Sequence, residues 1–256
     1  MPYLDLSGER IYYALHRNRA GGVPLLLIHG AGENHLVWPI GLRRLPGTIV
    51  YAIDLPGHGK SSGTGRSTIA DYVEWLVEFL DALRISAAVF IGHSMGGAIA
   101  QQLALTHPDR IIALVLVATG ARLRVAPQLL GLAHNNFPAA VDLVSQWEWG
   151  PIAPEELKRL GKQQLLATTP AVLLNDYLAC GAFDVREQLK TMMAPTLIVA
   201  GEADQMAPLK HATFLAEHIP QARLSVVPEA GHMVMLEAAE IVTQAIVEFL
   251  RENNMA

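Results

Sequence analysis

Short apolar runs and amphipathic stretches alternate along this chain. Ile11–Leu15, Leu25–His29, Thr48–Ile53, Ala87–Ile91, Leu114–Ala118, Thr196–Ala200 and Leu224–Val227 are rich in Val, Ile and Leu. Several are near-continuously apolar, the pattern of parallel strands buried on both faces. Between them, apolar residues recur at helical spacing. Ile69, Tyr72, Val73, Leu76, Leu80 and Leu83 predict a helix over Thr68–Arg84, with Thr68 and Asp71 spaced as a capping box. Further helices are expected over Ala98–His107, stopped by Pro108, and over Pro208–His218 and Ala238–Asn253. Such alternation implies an α/β fold, a mostly parallel, doubly wound sheet with helices on both faces.

From about residue 120 to 190 the alternation breaks and no strand pattern occurs. Helical stretches are expected around Gln128–His134, Ala139–Trp147, Pro154–Thr168 and Pro170–Cys180, with several prolines punctuating them. Strand patterning resumes after Ala194-Pro195. The chain therefore reads as a core, residues 1–119 and 191–256, with a helical cap, residues 120–190, inserted into it.

The 256 residues suffice for one large domain with an insertion. Hydrophobic residues make up 51% and charged residues 17%, which favours a large core over disorder. A net charge of −5 with no basic stripe argues against a nucleic-acid partner. The longest apolar run, Ile111–Ala118, is too short for a bilayer, so no stable membrane insertion is expected. The chain opens without a cationic leader and carries a single cysteine, Cys180; both favour a cytoplasmic location. Cys180 reads as a small buried residue with no activating partner. Metal-ligand spacings are absent, and Gly57-His58-Gly59-Lys60-Ser61 lacks full phosphate-loop spacing, so neither metal nor other cofactor is expected. Nothing in these patterns fixes an oligomeric state.

Gly92-His93-Ser94-Met95-Gly96 lies between an apolar strand pattern and a small-residue helical stretch. That is the context of a nucleophile elbow, G-x-S-x-G, in which a sharp turn pushes a serine hydroxyl off the end of a sheet. A serine hydroxyl is a weak nucleophile and needs a base, itself oriented by an acid. Two later strand ends offer them: Gly201-Glu202-Ala203-Asp204-Gln205 and Pro228-Glu229-Ala230-Gly231-His232. Glu202 rivals Asp204 as the acid. His232 has nine rivals, of which His29, His58 and His93 lie in glycine-rich loops and read as loop-holding residues.

Together with His29-Gly30-Ala31-Gly32 and Asp54-Leu55-Pro56-Gly57-His58-Gly59-Lys60-Ser61-Ser62, these motifs make the chain resemble the α/β-hydrolase superfamily over nearly its whole length. The resemblance implies the α/β-hydrolase fold and a triad of Ser94 as nucleophile, His232 as base and then acid, and Asp204 as orienting carboxylate. It also implies an oxyanion hole made by the backbone N–H groups of Met95 and Ala31. In the cap, Trp147, Leu130 and Leu143 are candidate substrate contacts, with Met233 beside the base. Arg122 and Arg124 could meet a substrate carboxylate, though a solvated hinge is the plainer reading.

The expected activity is that of a serine hydrolase cleaving small to medium apolar carboxylic esters through an acyl-enzyme. Carbon–carbon bond hydrolases and enol-lactonases of the same fold share the triad and remain the alternative. A ligand-binding receptor on a hydrolase fold is the alternative of another class, separable by turnover.

Overall fold

The computed structural model describes residues 2–17 and 22–255. Eight strands run in one sheet: β1 (Tyr3–Leu6), β2 (Glu9–Arg17), β3 (Pro24–Ile28), β4 (Ile49–Ile53), β5 (Ala88–His93), β6 (Ile111–Val117), β7 (Thr196–Gly201) and β8 (Ala222–Val227). Their order is β1-β2-β4-β3-β5-β6-β7-β8. β1 and β2 pair antiparallel, as do β2 and β4, and all other neighbours are parallel. The expected sheet is therefore present with one further strand. β1 is not among the strands expected from sequence because four residues, Tyr-Leu-Asp-Leu, are too short a run to establish a period. The clue was the two-residue connection: Ser7 (φ 50°) and Gly8 (φ 83°) are both left-handed, as a tight hairpin turn requires.

The helices are α1 (Ile40–Arg43), α2 (Ile69–Ala82), α3 (Met95–Thr106), α4 (Pro127–Asn135), α5 (Phe137–Trp147), α6 (Glu155–Leu166), α7 (Pro170–Ala182), α8 (Leu209–His218), α9 (Val234–Glu237) and α10 (Ala239–Glu252). Thr68 caps α2 as its spacing implied, its hydroxyl accepting the Asp71 N–H at 3.0 Å.

Alternate strand residues feed two cores. Leu26, Ile28, Phe90, Leu114, Leu116 and Ile198 pack under α2, α3 and α8. Leu25, Leu27, Val89, Ile91, Val115 and Val199 pack under α1 and α10. Burial on both faces explains why these strands read as unbroken apolar runs. Helices α4 to α7 fall between β6 and β7, where no strand was expected, and share a third apolar cluster around Leu129, Val144, Leu173 and Tyr177. Among the described residues, no helix is long and apolar enough to cross a membrane.

Candidate active site

Ser94 sits between the last residue of β5 and the first of α3. Its backbone is left-handed, φ 49° and ψ −113°, a conformation that costs a non-glycine residue about 1–3 kcal/mol and persists only where the surroundings enforce it. They do so here through two glycines. A Cβ on Gly92 would lie 2.3 Å from the Gly96 carbonyl oxygen, and one on Gly96 would lie 2.1 Å from that of Ile28. Both glycines are needed for close backbone approach, since neither has a positive φ. Helix α3 begins at Met95, directly after Ser94, three residues before the pattern predicted. Gly96 and Gly97 disguise that first turn, because glycine is a poor helix former.

Asp204 follows β7 and His232 follows β8, and glycine contacts bring the two loops together. A Cβ on Gly201 would lie 2.2 Å from the Gly231 carbonyl oxygen, and Ala203 N–H donates to the Ala230 carbonyl at 2.9 Å. His232 Nδ1 is 2.8 Å from Asp204 Oδ2, while Asp204 Oδ1 accepts the N–H groups of Met206 and Ala207, each at 2.8 Å. Burial pushes the Asp204 carboxyl up, but the His232 charge and hydrogen bond and the two amides outweigh it and hold it below the ordinary range. Burial pushes the His232 imidazole down; Asp204 first, then Glu33 and Glu148, carry it above its ordinary 6.5. Because an ionised carboxylate only accepts, Nδ1 carries the proton and Nε2 is the basic nitrogen. Glu202, the rival acid, is exposed and accepts from Glu229 N–H. No hydrogen bond joins the Ser94 hydroxyl to His232, a common feature of catalytic pairs without substrate.

The two predicted oxyanion donors are both N–H groups without a partner among the described residues. Around Ala31 this is arranged by carboxylates. Gly30 N–H donates to Glu33 Oε2 at 2.6 Å and Gly32 N–H to Asp176 Oδ2 at 2.8 Å, leaving the N–H between them unused. Glu33 Oε2 also lies 3.0 Å from His93 Nδ1, whose Nε2 is 3.1 Å from the His232 carbonyl oxygen. Both His93 nitrogens therefore face acceptors. Burial pushes the Glu33 carboxyl up, but the His93 charge and hydrogen bond, with the Gly30 amide, outweigh it and hold it below its ordinary range. His29 donates Nδ1–H to Gly30 and accepts the Leu55 N–H at Nε2, and burial holds its imidazole down at about 4. His58 bridges the Pro56 carbonyl and Asp176. All three histidines in the glycine-rich loops thus have structural partners.

Two cavities meet at Ser94 and His232. The first, about 320 Å³, includes Trp147, Leu129, Arg122, Arg124 and His211 in its wall. The second, about 400 Å³, includes Met233, Val144, Leu165, Glu33 and Glu148. Ala31, Tyr177 and Met206 line both. Of the four proposed substrate contacts, Trp147 and Met233 therefore reach a cavity. Leu130 and Leu143 do not: they flank the third cluster, while their neighbours Leu129 and Val144 hold the cavity-facing positions. One residue along a helix is a turn of about 100°, enough to move a side chain to another face. Charged side chains from residues 120–190 also reach both cavities. Arg122, paired at 3.6 Å with Asp184, lines the first cavity together with Arg124, and Glu148 lines the second.

Glu33, Glu148 and Asp176 were not singled out in the sequence. Asp176, fully buried on α7, receives Tyr72 Oη–H at 2.6 Å, His58 Nε2–H at 2.8 Å and the Gly32 N–H. Glu148, 8% exposed, accepts Trp149 Nε1–H at 2.7 Å, and its carboxyl is pushed up to about 7, chiefly by burial.

A nucleophile candidate, an oriented imidazole and free amides thus stand together at the carboxyl edge of a doubly wound sheet. The model of the "Alpha/beta hydrolase family" matches residues 25–245. The chain belongs to that family. This hydrolase is 34% identical, over 96% of its length, to the dihydrolipoyllysine-residue acetyltransferase component of an acetoin cleaving system from Pseudomonas putida, of which the match covers 68%. A solved thermophilic esterase is 32% identical, with a TM-score of 0.86 over 98% of this chain and 97% of that one. The enol-lactonase from Burkholderia xenovorans superposes with a TM-score of 0.91 at 25% identity, over 98% of this chain and 100% of that one.

Proposed function

We propose that this hydrolase cleaves small-molecule carboxylic esters through an acyl-enzyme formed on Ser94. One observation carries the reading: Ser94, on its left-handed turn, lines the same two cavities as His232, whose Nδ1 is engaged by buried Asp204. Ser94 Oγ attacks the ester carbonyl carbon as His232 Nε2 takes its proton. Asp204 holds the tautomer and stabilises the imidazolium without itself taking a proton. The carbonyl oxygen becomes an oxyanion facing the N–H groups of Ala31 and Met95, each such donor contributing about 3 kcal/mol to the transition state. Collapse breaks the carbon–oxygen bond, and His232 returns its proton to the leaving alcohol. His232 then deprotonates a water molecule, which attacks the acyl carbon. The second collapse releases the acid and restores Ser94. In this reading residues 120–190 act as the cap and divide the space above Ser94 into an arm for each side of the ester.

Enol-lactones are the second substrate class, supported by the likeness to the enol-lactonase. They are cyclic esters and open by the same steps. The test is a nitrophenyl ester series of rising acyl length, run with an enol-lactone and a vinylogous diketone. Ester turnover is expected, with Ser94→Ala and His232→Ala each losing on the order of 10⁴-fold or more in kcat, because triad members act as a unit. Full activity in Ser94→Ala removes the nucleophile. Cleavage of the diketone alone moves the protein to carbon–carbon chemistry, and ligand binding without turnover moves it to a receptor.

A further inference from the structure

The two cavities that meet at Ser94 and His232 carry opposite charge. In the second, Glu33 and Glu148 line the wall, and no Lys or Arg does among the described residues. The first is the reverse: Arg122 and Arg124 line it with His211, and no Asp or Glu does among the described residues. These basic residues lie close together. A Cβ on Gly120 would stand 3.1 Å from His211 Cβ and 3.3 Å from the Arg122 carbonyl oxygen. The His211 imidazole is held below its ordinary 6.5 by burial, then by the charges of Lys210 and Arg124. Neither guanidinium is spent on the protein. Arg122 Nε stands 3.6 Å from Asp184 Oδ2, beyond hydrogen-bond range, while Arg186 takes both Asp184 oxygens at 2.7 and 2.8 Å. Arg124 is exposed and has no carboxylate partner among the described residues. Apolar side chains such as Val125, Leu129 and Trp147 complete the wall, and a cleft of one sign with low-dielectric walls focuses its field on an incoming charge.

We propose that the first cavity takes an ester arm bearing an anionic group, a carboxylate or a phosphate, drawn in by Arg122 and Arg124, and that the second cavity takes the uncharged arm. This rests on the ester-hydrolase reading and names its substrate class: half-esters of diacids, or esters of alcohols that carry an acid group. The sorting follows from sign. An anion entering the second cavity meets Glu33 and Glu148 and is repelled; entering the first, it meets only cations and neutral groups. A cationic arm has the opposite preference, and a neutral arm gains from neither wall. The attraction does not require one anion to touch both guanidinium groups, because charges act on each other over a screening length of about 8 Å in physiological salt. Where contact is made, the planar guanidinium fork fits a carboxylate or a phosphate.

The experiment uses two matched series, because either side of the ester can carry the charge. One holds ethyl half-esters of linear dicarboxylic acids of rising length; the other holds acetates of hydroxy acids of rising length. Each carboxylate is measured against the neutral amide of the same shape and against an ammonium-bearing counterpart. A phosphate-bearing arm of matched length tells which anion the cavity prefers. At one chain length kcat/KM for the anion is expected to exceed that for the amide on the order of 10-fold, between the worth of an exposed ion pair and that of a charge-assisted hydrogen bond. The ratio is expected to shrink as added salt screens the charges. Taken within each variant, it is not disturbed by a general loss of activity. Arg122→Gln and Arg124→Gln are each expected to lower it, the two together to bring it towards one, and Arg124→Glu to turn the preference towards the ammonium arm. Lys210→Gln removes a neighbouring charge that lies outside the cavity wall and is expected to change the ratio less. No preference for an anion at any length, a preference that survives the double substitution, or an equal fall in Lys210→Gln overturns the inference. The hydrolase reading is judged apart, by turnover of the neutral esters and its loss in Ser94→Ala. Should no ester turn over, calorimetric binding of the same anion and amide pairs to Ser94→Ala, with and without the double substitution, decides the charge question alone.

Discussion

Glu148→Gln separates the charge of this carboxyl from its shape. The side chain is nearly buried, and its pKa is raised from the ordinary 4.5 to about 7, burial being the largest cause, with nearby Glu33 and Glu237 adding to it and Trp149 and His232 opposing it. An acid whose folded pKa is raised binds its proton more tightly in the folded state. Between pH 4.5 and 7 the folded protein therefore carries a proton here that the unfolded chain has lost, and stability falls as pH rises. A pKa difference of about 2.5, at about 1.4 kcal/mol for each, makes this about 3 kcal/mol across the whole window. Between pH 5 and pH 8 most of it is traversed, about 2–3 kcal/mol. Glutamine keeps an oxygen for the Trp149 indole and has no charge to desolvate. The variant should thus gain about 2–3 kcal/mol relative to the parent on going from pH 5 to pH 8, whatever other groups titrate in both proteins. Urea unfolding of both proteins at the two pH values measures this as a difference of differences. A value within about 0.5 kcal/mol of zero, the usual scatter of surface substitutions, would refute the claim that Glu148 is held in a desolvated site.

Three further outcomes follow. Because Asp204 and the acidic neighbours hold the His232 imidazole up, kcat/KM for a nitrophenyl ester should rise with pH through a midpoint above 6.5, and Asp204→Asn should lower kcat on the order of 10⁴-fold; a midpoint below 6.5 contradicts the charge balance. Asp176→Asn removes the negative charge shared by His58, Tyr72 and Gly32 and should cost about 3 kcal/mol or more in urea unfolding; a loss below 1 kcal/mol shows that the hub is not tightly held. Gly96→Ala places a Cβ 2.1 Å from a backbone oxygen and should lower the melting temperature sharply, whereas Gly131→Ala on α4, with nothing within 4 Å, should stabilise by about 0.5–1 kcal/mol; similar effects at both positions would deny the elbow its special fit.

The parts of this molecule that could be read from sequence are those in which local chemistry and position coincide. Ser94 lies between two glycines at a strand end, and Asp204 and His232 each follow an apolar run, so strand order alone places them on one edge. Helix phase was less legible. In α4 the choice between Leu129 and Leu130 depends on packing against α5 and α7, which a stretch of nine residues does not specify. Asp176 carries a readable sign: it interrupts a helical face on which Leu173, Tyr177 and Cys180 are buried, and an acid on an apolar face needs buried donors. Glu33 and Glu148 had no such sign. Their partners, His93 and the wall of the second cavity, lie far away in sequence or exist only after folding.

The loop bearing Ala31 shows why Asp176 reaches beyond stability. Three successive amides point from this turn, and the outer two are each taken by a carboxylate, Glu33 on Gly30 and Asp176 on Gly32. A backbone N–H with a free choice would satisfy itself on a neighbouring carbonyl or on water; with both flanking peptides pinned, the Ala31 peptide has little freedom to rotate away from Ser94. Glu33 lies in the same loop and also grips His93, which holds the His232 carbonyl. Asp176, however, belongs to α7, between β6 and β7. In the proposed mechanism the oxyanion donor is thus oriented partly by a helix that lies between β6 and β7, and a displacement of α7 would reach the reacting atoms without touching Ser94, His232 or Asp204. Preorganised donors stabilise charge only in the transition state. The catalytic loss in Asp176→Asn therefore belongs in kcat, with KM for a small ester little changed, whereas a residue that merely lined a substrate arm would act on KM.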